Sequence, residues 1–152
     1  MENLVRNVLV LDANSRNIKK VCDFLRTDER LVDLNNIIPT PESMSPSEAE
    51  FWQKNSWDCT NTFDCRQEKI DVLRFSTEWV APVKAIAKLA KLFPNVEITL
   101  WFAHEKYDFI VGMVRWFEGR IIDDLIPMGD SRTEEKIRRF CWEAVDEGRV
   151  AR

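Results

Sequence analysis

Glycine is scarce in this chain, four among 152 residues. Loops that cradle phosphate need several glycines at fixed spacing, because the backbone must approach the anion with no Cβ in the way. No G-x-x-x-x-G-K-S/T, G-x-G-x-x-G or G-x-S-x-G occurs, which argues against P-loop, dinucleotide-binding and serine-hydrolase chemistry. Histidine occurs once, at His104, and the four cysteines, Cys22, Cys59, Cys65 and Cys141, form no C-x-x-C pair. Zinc-knuckle spacing is therefore missing. On one extended strand Cys59 and Cys65 would stand roughly 20 Å apart, too far to share an ion. No segment nears the roughly 20 apolar residues of a membrane helix. The opening MENLVRNVLV contains Arg6 and lacks the long apolar run of a secretory signal. The expectation is a cytoplasmic protein with reduced thiols, no membrane contact, no metal and no cofactor.

What is present is a core. Apolar residues make up 45% of the chain, enough at this length for a single domain over residues 1–152. The formal charge of −4 disfavours nucleic acid as an electrostatic partner of the whole molecule. Six tryptophans stand out, because Trp is costly to expose and common at binding hot spots.

Periodicity gives the element order. Leu4 to Leu11 reads as a buried strand, and Asp12 or Asn14 caps a helix whose Ile18, Val21, Cys22 and Leu25 share one face. Cys22 is there a small apolar filler. Leu31 to Ile38 reads as a second strand, ended by Pro39. Ser45-Pro46-Ser47-Glu48 is a capping box opening a short helix to Lys54. WDCTNTFDC (57–65) reads as a loop passing into an edge strand. Ile70 to Ser76 is a strand, and Trp79 to Phe93 a helix that tolerates Pro82 in its first turn.

Val96, Ile98, Leu100 and Phe102 then alternate with Glu97, Thr99, Trp101 and Ala103, the pattern of a half-buried strand. Phe109–Phe117 and Arg120–Ile126 form a hairpin about Glu118-Gly119. Ser131-Arg132-Thr133-Glu134 caps a last helix that buries Ile137, Phe140, Cys141, Ala144 and Val145 and stops at Gly148. The expected class is α+β: a ferredoxin-like antiparallel sheet with helices on one face, a helical and loop insertion over about 39–65, and a C-terminal hairpin plus helix.

Several segments resemble one family. NIIPTPESM (36–44), the Trp-led loop ending in Phe63-Asp64, FSTEWVAP (75–82) and LFPNVEITLWFAHE (92–105) are similar to the YubB-like family, small ferredoxin-like proteins of phages, plasmids and integrated elements. The likeness runs from about Val5 to Asp123. Members typically carry WGTKW in the Trp loop, where this chain has WDCTNTF, without the glycine and with Phe63 as second aromatic. The resemblance implies the fold and brings no established activity with it.

No catalytic residue stands out. His104 falls at a strand end, suited to capping or to facing a loop, and adjacent Asp123 and Asp124 point to opposite faces of a strand, with Arg115 a partner across the hairpin. The binding candidates are Trp57, Asp58, Phe63 and Asp64 in the loop, and Trp101 and Trp116 in the sheet. If the turn between their strands is centred between Lys106 and Tyr107, Trp101 and Trp116 share an outward face. The leading expectation is a non-enzymatic accessory protein of a phage or plasmid, possessing a host or phage protein partner and acting as an anti-defence inhibitor. One alternative is single-stranded nucleic acid stacked on Trp101 and Trp116. The other is a small molecule or nucleotide held at the Trp57–Asp64 loop.

Overall fold

A computed structural model describes residues 3–105, 110–126 and 132–146, without the side chains of residues 132–134 and 137. Its organisation follows from a strand with two apolar faces. β1 (Leu4–Asp12) buries every residue from Asn7 to Leu11, so it needs cover on both sides. Along the chain follow α1 (Ser15–Leu25), a 3-10 turn (Leu34–Asn36), α2 (Pro46–Trp57), β2 (Phe63–Lys69), β3 (Val72–Glu78) and α3 (Val83–Leu92). Then come β4 (Glu97–His104), β5 (Val111–Phe117), β6 (Arg120–Leu125) and α4 (Arg132–Val145). The strands form one antiparallel sheet in the order β2-β3-β1-β4-β5-β6. The connections β1-α1-β2 and β3-α3-β4 each skip one strand, giving two interleaved split β-α-β units, the ferredoxin-like arrangement. β5 and β6 widen it on one side.

Each sheet face has its own core. On one face Val5, Leu9, Leu11, Ile98, Leu100, Val114 and Trp116 pack under Ile18, Val21 and Leu25 of α1 and Ile86 and Leu89 of α3. On the other, Val8, Val10, Val72, Trp101 and Met113 pack under Cys141, Ala144 and Val145 of α4. The ferredoxin helices thus share one face, and the C-terminal helix covers the opposite one. β4 is buried from Ile98 to His104 and is not half-exposed as its alternation suggests. Arg74, itself buried, ties α4 down: its guanidinium donates to the carbonyls of Val145 (2.8 Å) and Asp146 (3.3 Å), and its Nε donates to Glu68 at 2.8 Å. Those carbonyls belong to the helix end, where no intrahelical donor reaches them.

Three further expectations change. Leu31–Ile38 is not a strand. Asp33 accepts from the Asn35 N–H (3.0 Å), and the Asn35 side chain accepts from the Thr40 N–H (3.0 Å) and hydroxyl (2.6 Å). These local bonds turn the chain where a ladder would have kept it straight. The second ferredoxin strand is instead β2, so the insertion expected over 39–65 gives its last residues to the sheet. The third helix starts at Val83 and not at Trp79. Trp79 has φ +68°, and Ala81, preceding Pro82, is disfavoured in helical geometry.

The third change is one of register. Trp101 opposes Met113 and Ile98 opposes Trp116. A turn centred between Lys106 and Tyr107 would have set Trp101 against Gly112. The single-residue difference sends Trp116 to the α1/α3 face and leaves Trp101 on the α4 face. The Glu118-Gly119 turn is as expected, with φ +54° and +75°, the two positive values of a type I′ hairpin. The Lys106-Tyr107 turn, the strand start at Phe109, the Ser131–Glu134 capping box, the place of Ile137 and the stop at Gly148 lie outside the described residues.

Trp101 is 2% exposed and meets Phe140 of α4 edge-to-face at 5.3 Å between ring centroids. Truncation to Ala should cost ~3–5 kcal/mol. Urea unfolding followed by circular dichroism should show the midpoint falling accordingly. A loss below ~1 kcal/mol would mean that α4 does not rely on this indole.

Candidate functional site

The Trp-led loop is built as a hub of polar bonds. Trp57 ends α2 and is fully buried, its indole N–H donating to the Ile38 carbonyl at 3.0 Å. Trp52 meets it edge-to-face at 5.7 Å. Asp58 follows in the left-handed conformation, φ +77°, which Asp tolerates better than most residues. One of its carboxylate oxygens accepts the Lys84 N–H of the first α3 turn at 2.9 Å. Pro82, the residue before that helix, offers no side-chain cap, so Asp58 supplies one from 26 residues away. The Lys84 ammonium adds bonds to the Asn55 carbonyl (3.1 Å) and to Asp58 (3.5 Å), fastening α2 to α3.

Further along, the Asn61 side chain accepts from the N–H groups of Leu34 (3.1 Å) and Thr62 (2.9 Å) and donates to Asp33 (2.9 Å). The Thr62 hydroxyl donates to the Val32 carbonyl, and the Thr62 carbonyl accepts from Arg30 Nε at 2.8 Å. Burial acts to raise the Asp33 pKa. The bonds from Asn61, the Asn35 N–H and Thr27, with Arg30 nearby, outweigh it and hold the carboxyl below its ordinary value.

The six candidate residues do not form one site. Trp57 and Asp58 face α3 and the core. Phe63 and Asp64 line a groove of about 370 Å³ with Thr27–Leu31, on the edge-strand side. Trp101 lies beneath α4, and Trp116, also 2% exposed, packs on the other sheet face. Neither sheet indole has an open face on which a base could stack.

A second groove, about 520 Å³, lies beside the end of α4 and includes Arg6, Asp64, Arg66, Arg74 and Ser76. Arg6 is met by Glu105 and Arg74 by Glu68, each at 2.8 Å, so those two charges are answered in place. Arg115 opposes Asp123 in register, as the hairpin reading suggests, while its Nε donates to the Thr99 hydroxyl at 3.3 Å. His104 is fully buried, with its ring centroid 6.5 Å from that of Trp79.

Burial pushes the thiol pKa of Cys59 well up, with Asp58 adding to the effect, and pushes that of Cys141 to about 12. Cys22 is raised by burial too. Such thiols stay protonated near neutral pH and are poor nucleophiles and poor metal ligands. Among the described residues no three His, Cys, Asp or Glu side chains group as metal ligands, and no helix is long and apolar enough to cross a membrane.

The feature that sequence reasoning passed over is on α2. Met44, Ser47, Glu48, Phe51, Trp52 and Asn55 line a shallow groove of about 540 Å³, and Phe51 is 73% exposed. The signal was available: Phe51 and Trp52 are adjacent on a helix, so they cannot both turn fully inward.

The geometry is that of an α+β ferredoxin-like protein with an elaborated α1–β2 connection. Residues 55–147 match the family described as the ferredoxin-like domain in Api92-like protein, and the chain belongs to that family. It is also similar to a crystal structure of a protein api92 from Yersinia pseudotuberculosis, with 17% identity and a TM-score of 0.43. That likeness covers 65% of this chain and 40% of the other, so the chain spans under half of that protein's length. No curated protein matches the chain.

Two outcomes test the hub. Asp58→Ala should remove the α3 cap at a cost of about 0.5–2 kcal/mol, read from the denaturation midpoint. Asp33 has a depressed folded pKa, so its contribution is complete above the ordinary carboxylate value of 3.8 and fades as pH falls through the lower folded value. Asp33→Asn should therefore destabilise the protein at pH 7 and flatten part of its acid unfolding limb. Parallel acid limbs for the two proteins would remove Asp33 from this role.

Proposed function

We propose that this chain is a non-enzymatic binding protein that acts through protein–protein contact, with α2 as its contact surface. The observation that supports this most is Phe51, a large apolar side chain set out in solvent beside Trp52 on an inserted helix. Aromatic residues in such settings act as interface anchors. Glu48 lines the same groove, and its hydrogen bonds with the Ser45 side chain and N–H hold its carboxyl below the usual range. The partner this fits is a protein segment presenting an apolar side chain next to basic groups.

The YubB-like resemblance adds the setting. In a phage or plasmid, a small binding protein is most useful when it blocks a host complex, so an anti-defence accessory role is the reading we favour. The buried state of Trp101 and Trp116 gives no support to base stacking.

Phe51→Asp should leave stability within about 0.5 kcal/mol, because the side chain is exposed. It should also abolish recovery of a stoichiometric partner from lysate of the host. The native complex should weaken as salt is raised, since exposed charge pairs are screened. An empty eluate from the native chain, or equal recovery by Phe51→Asp, would sink the proposal.

A further inference from the structure

The two edges of the sheet are treated differently. β2 carries Asp64, Arg66, Gln67, Glu68 and Lys69 and pairs with β3 through two register shifts. Charge and irregular pairing are the usual guards of an edge strand. β6, at the other edge, exposes Ile121 (57%) and Ile122 (52%), with Ile126 just beyond it also exposed. One register shift, between Arg115 and Trp116, lies on its inner side. Among the described residues, no strand pairs with its outer edge.

The sequence of this edge complements itself. If two copies of Arg120-Ile121-Ile122-Asp123-Asp124-Leu125 run antiparallel about a two-fold axis through Ile122, Ile122 of each copy opposes Ile122 of the other, since opposed residues must share a sheet face. Arg120 of each copy then opposes Asp124 of the other on that same face, while Ile121 opposes Asp123 on the other face. This register places isoleucine at the centre and opposite charges outside it, the cross-strand pairs that stabilise antiparallel ladders. The pairing is isologous and therefore closes at two copies. Among the described residues of one copy, Arg120 pairs with Glu118 at 3.7 Å, the two side chains 80% and 60% exposed, which holds it weakly.

We infer that β6 is a self-association edge through which two copies of this chain join their sheets, antiparallel, across Ile122. Among the described residues the joined sheet has twelve strands, twice the six of one copy. This surface is separate from α2, so the inference stands or falls independently of the proposed partner contact. Because the β6 edge alone is short, the dimer should be of moderate strength, forming over roughly 1–100 μM.

Sedimentation velocity of the full chain across that range tests it. The mass should rise from 17.9 kDa towards twice that value as concentration increases. Ile122→Lys, which sets two ammonium groups directly opposite each other, should weaken association at least tenfold while circular dichroism stays unchanged. Charge reversal gives the sharper reading. Arg120→Asp alone should be monomeric, and so should Asp124→Arg alone. Mixed one to one, the two should form a heterodimer, because each reversed residue then meets its complement. A native chain that stays monomeric at about 200 μM overturns the inference. So does an Ile122→Lys variant that associates as the native chain does, or a one-to-one mixture that stays monomeric. If a variant fails to fold, the concentration series on the native chain still decides.

Discussion

β1 is bonded along both edges and buried on both faces, and the rest of the molecule is arranged around that fact. Its ladder to β3 and its ladder to β4 can both be satisfied only if the intervening helices carry the chain over one face and skip a strand each time. That leaves the second face bare. Val8 and Val10, with Trp101 and Met113 beside them, make it too apolar to meet water, and α4 is the cover. Two cores back to back on one sheet are how a 152-residue chain with 45% apolar content buries so much of it.

The legible parts of the sequence were those set by neighbours in the chain. The Ser45–Glu48 capping box, the Glu118-Gly119 turn and the strand-helix-strand run from Val72 to His104 each depend on residues a few positions apart. The Leu31–Ile38 segment misled because its apolar residues suit a strand while Asp33 and Asn35 supply side-chain acceptors that bend it. The Trp101–Trp116 face failed for a different reason. Parity across a hairpin depends on the register to a single residue, and no hydrophobic pattern counts loop residues that finely. Asp58 was picked as a binding residue because it follows Trp57, yet it caps a helix distant in sequence, a role only the folded chain displays.

Beside the added β5, β6 and α4, the chain's elaboration lies between α1 and β2. There the 3-10 turn, α2 and the Trp-led loop replace what a minimal ferredoxin-like fold joins with a short connection. The insertion is not loosely attached. Trp57 roots it in the core, Asp58 and Lys84 bolt it to α3, and the Asp33–Asn61 cluster fixes its base. A rigid mount of this kind holds Phe51 in place before any partner arrives, which lowers the ordering cost of binding.

Arg74 has a consequence for how the molecule opens. It stands on β3, takes a carboxylate from the edge strand β2 and donates to the final carbonyls of α4. Fraying normally starts at edges and at termini, independently of one another. Here a single guanidinium couples an edge to the C-terminal helix, since releasing Glu68 leaves a buried cation short of its counter-charge. Loss of β2 therefore loosens α4, and that one edge opens together with the helix.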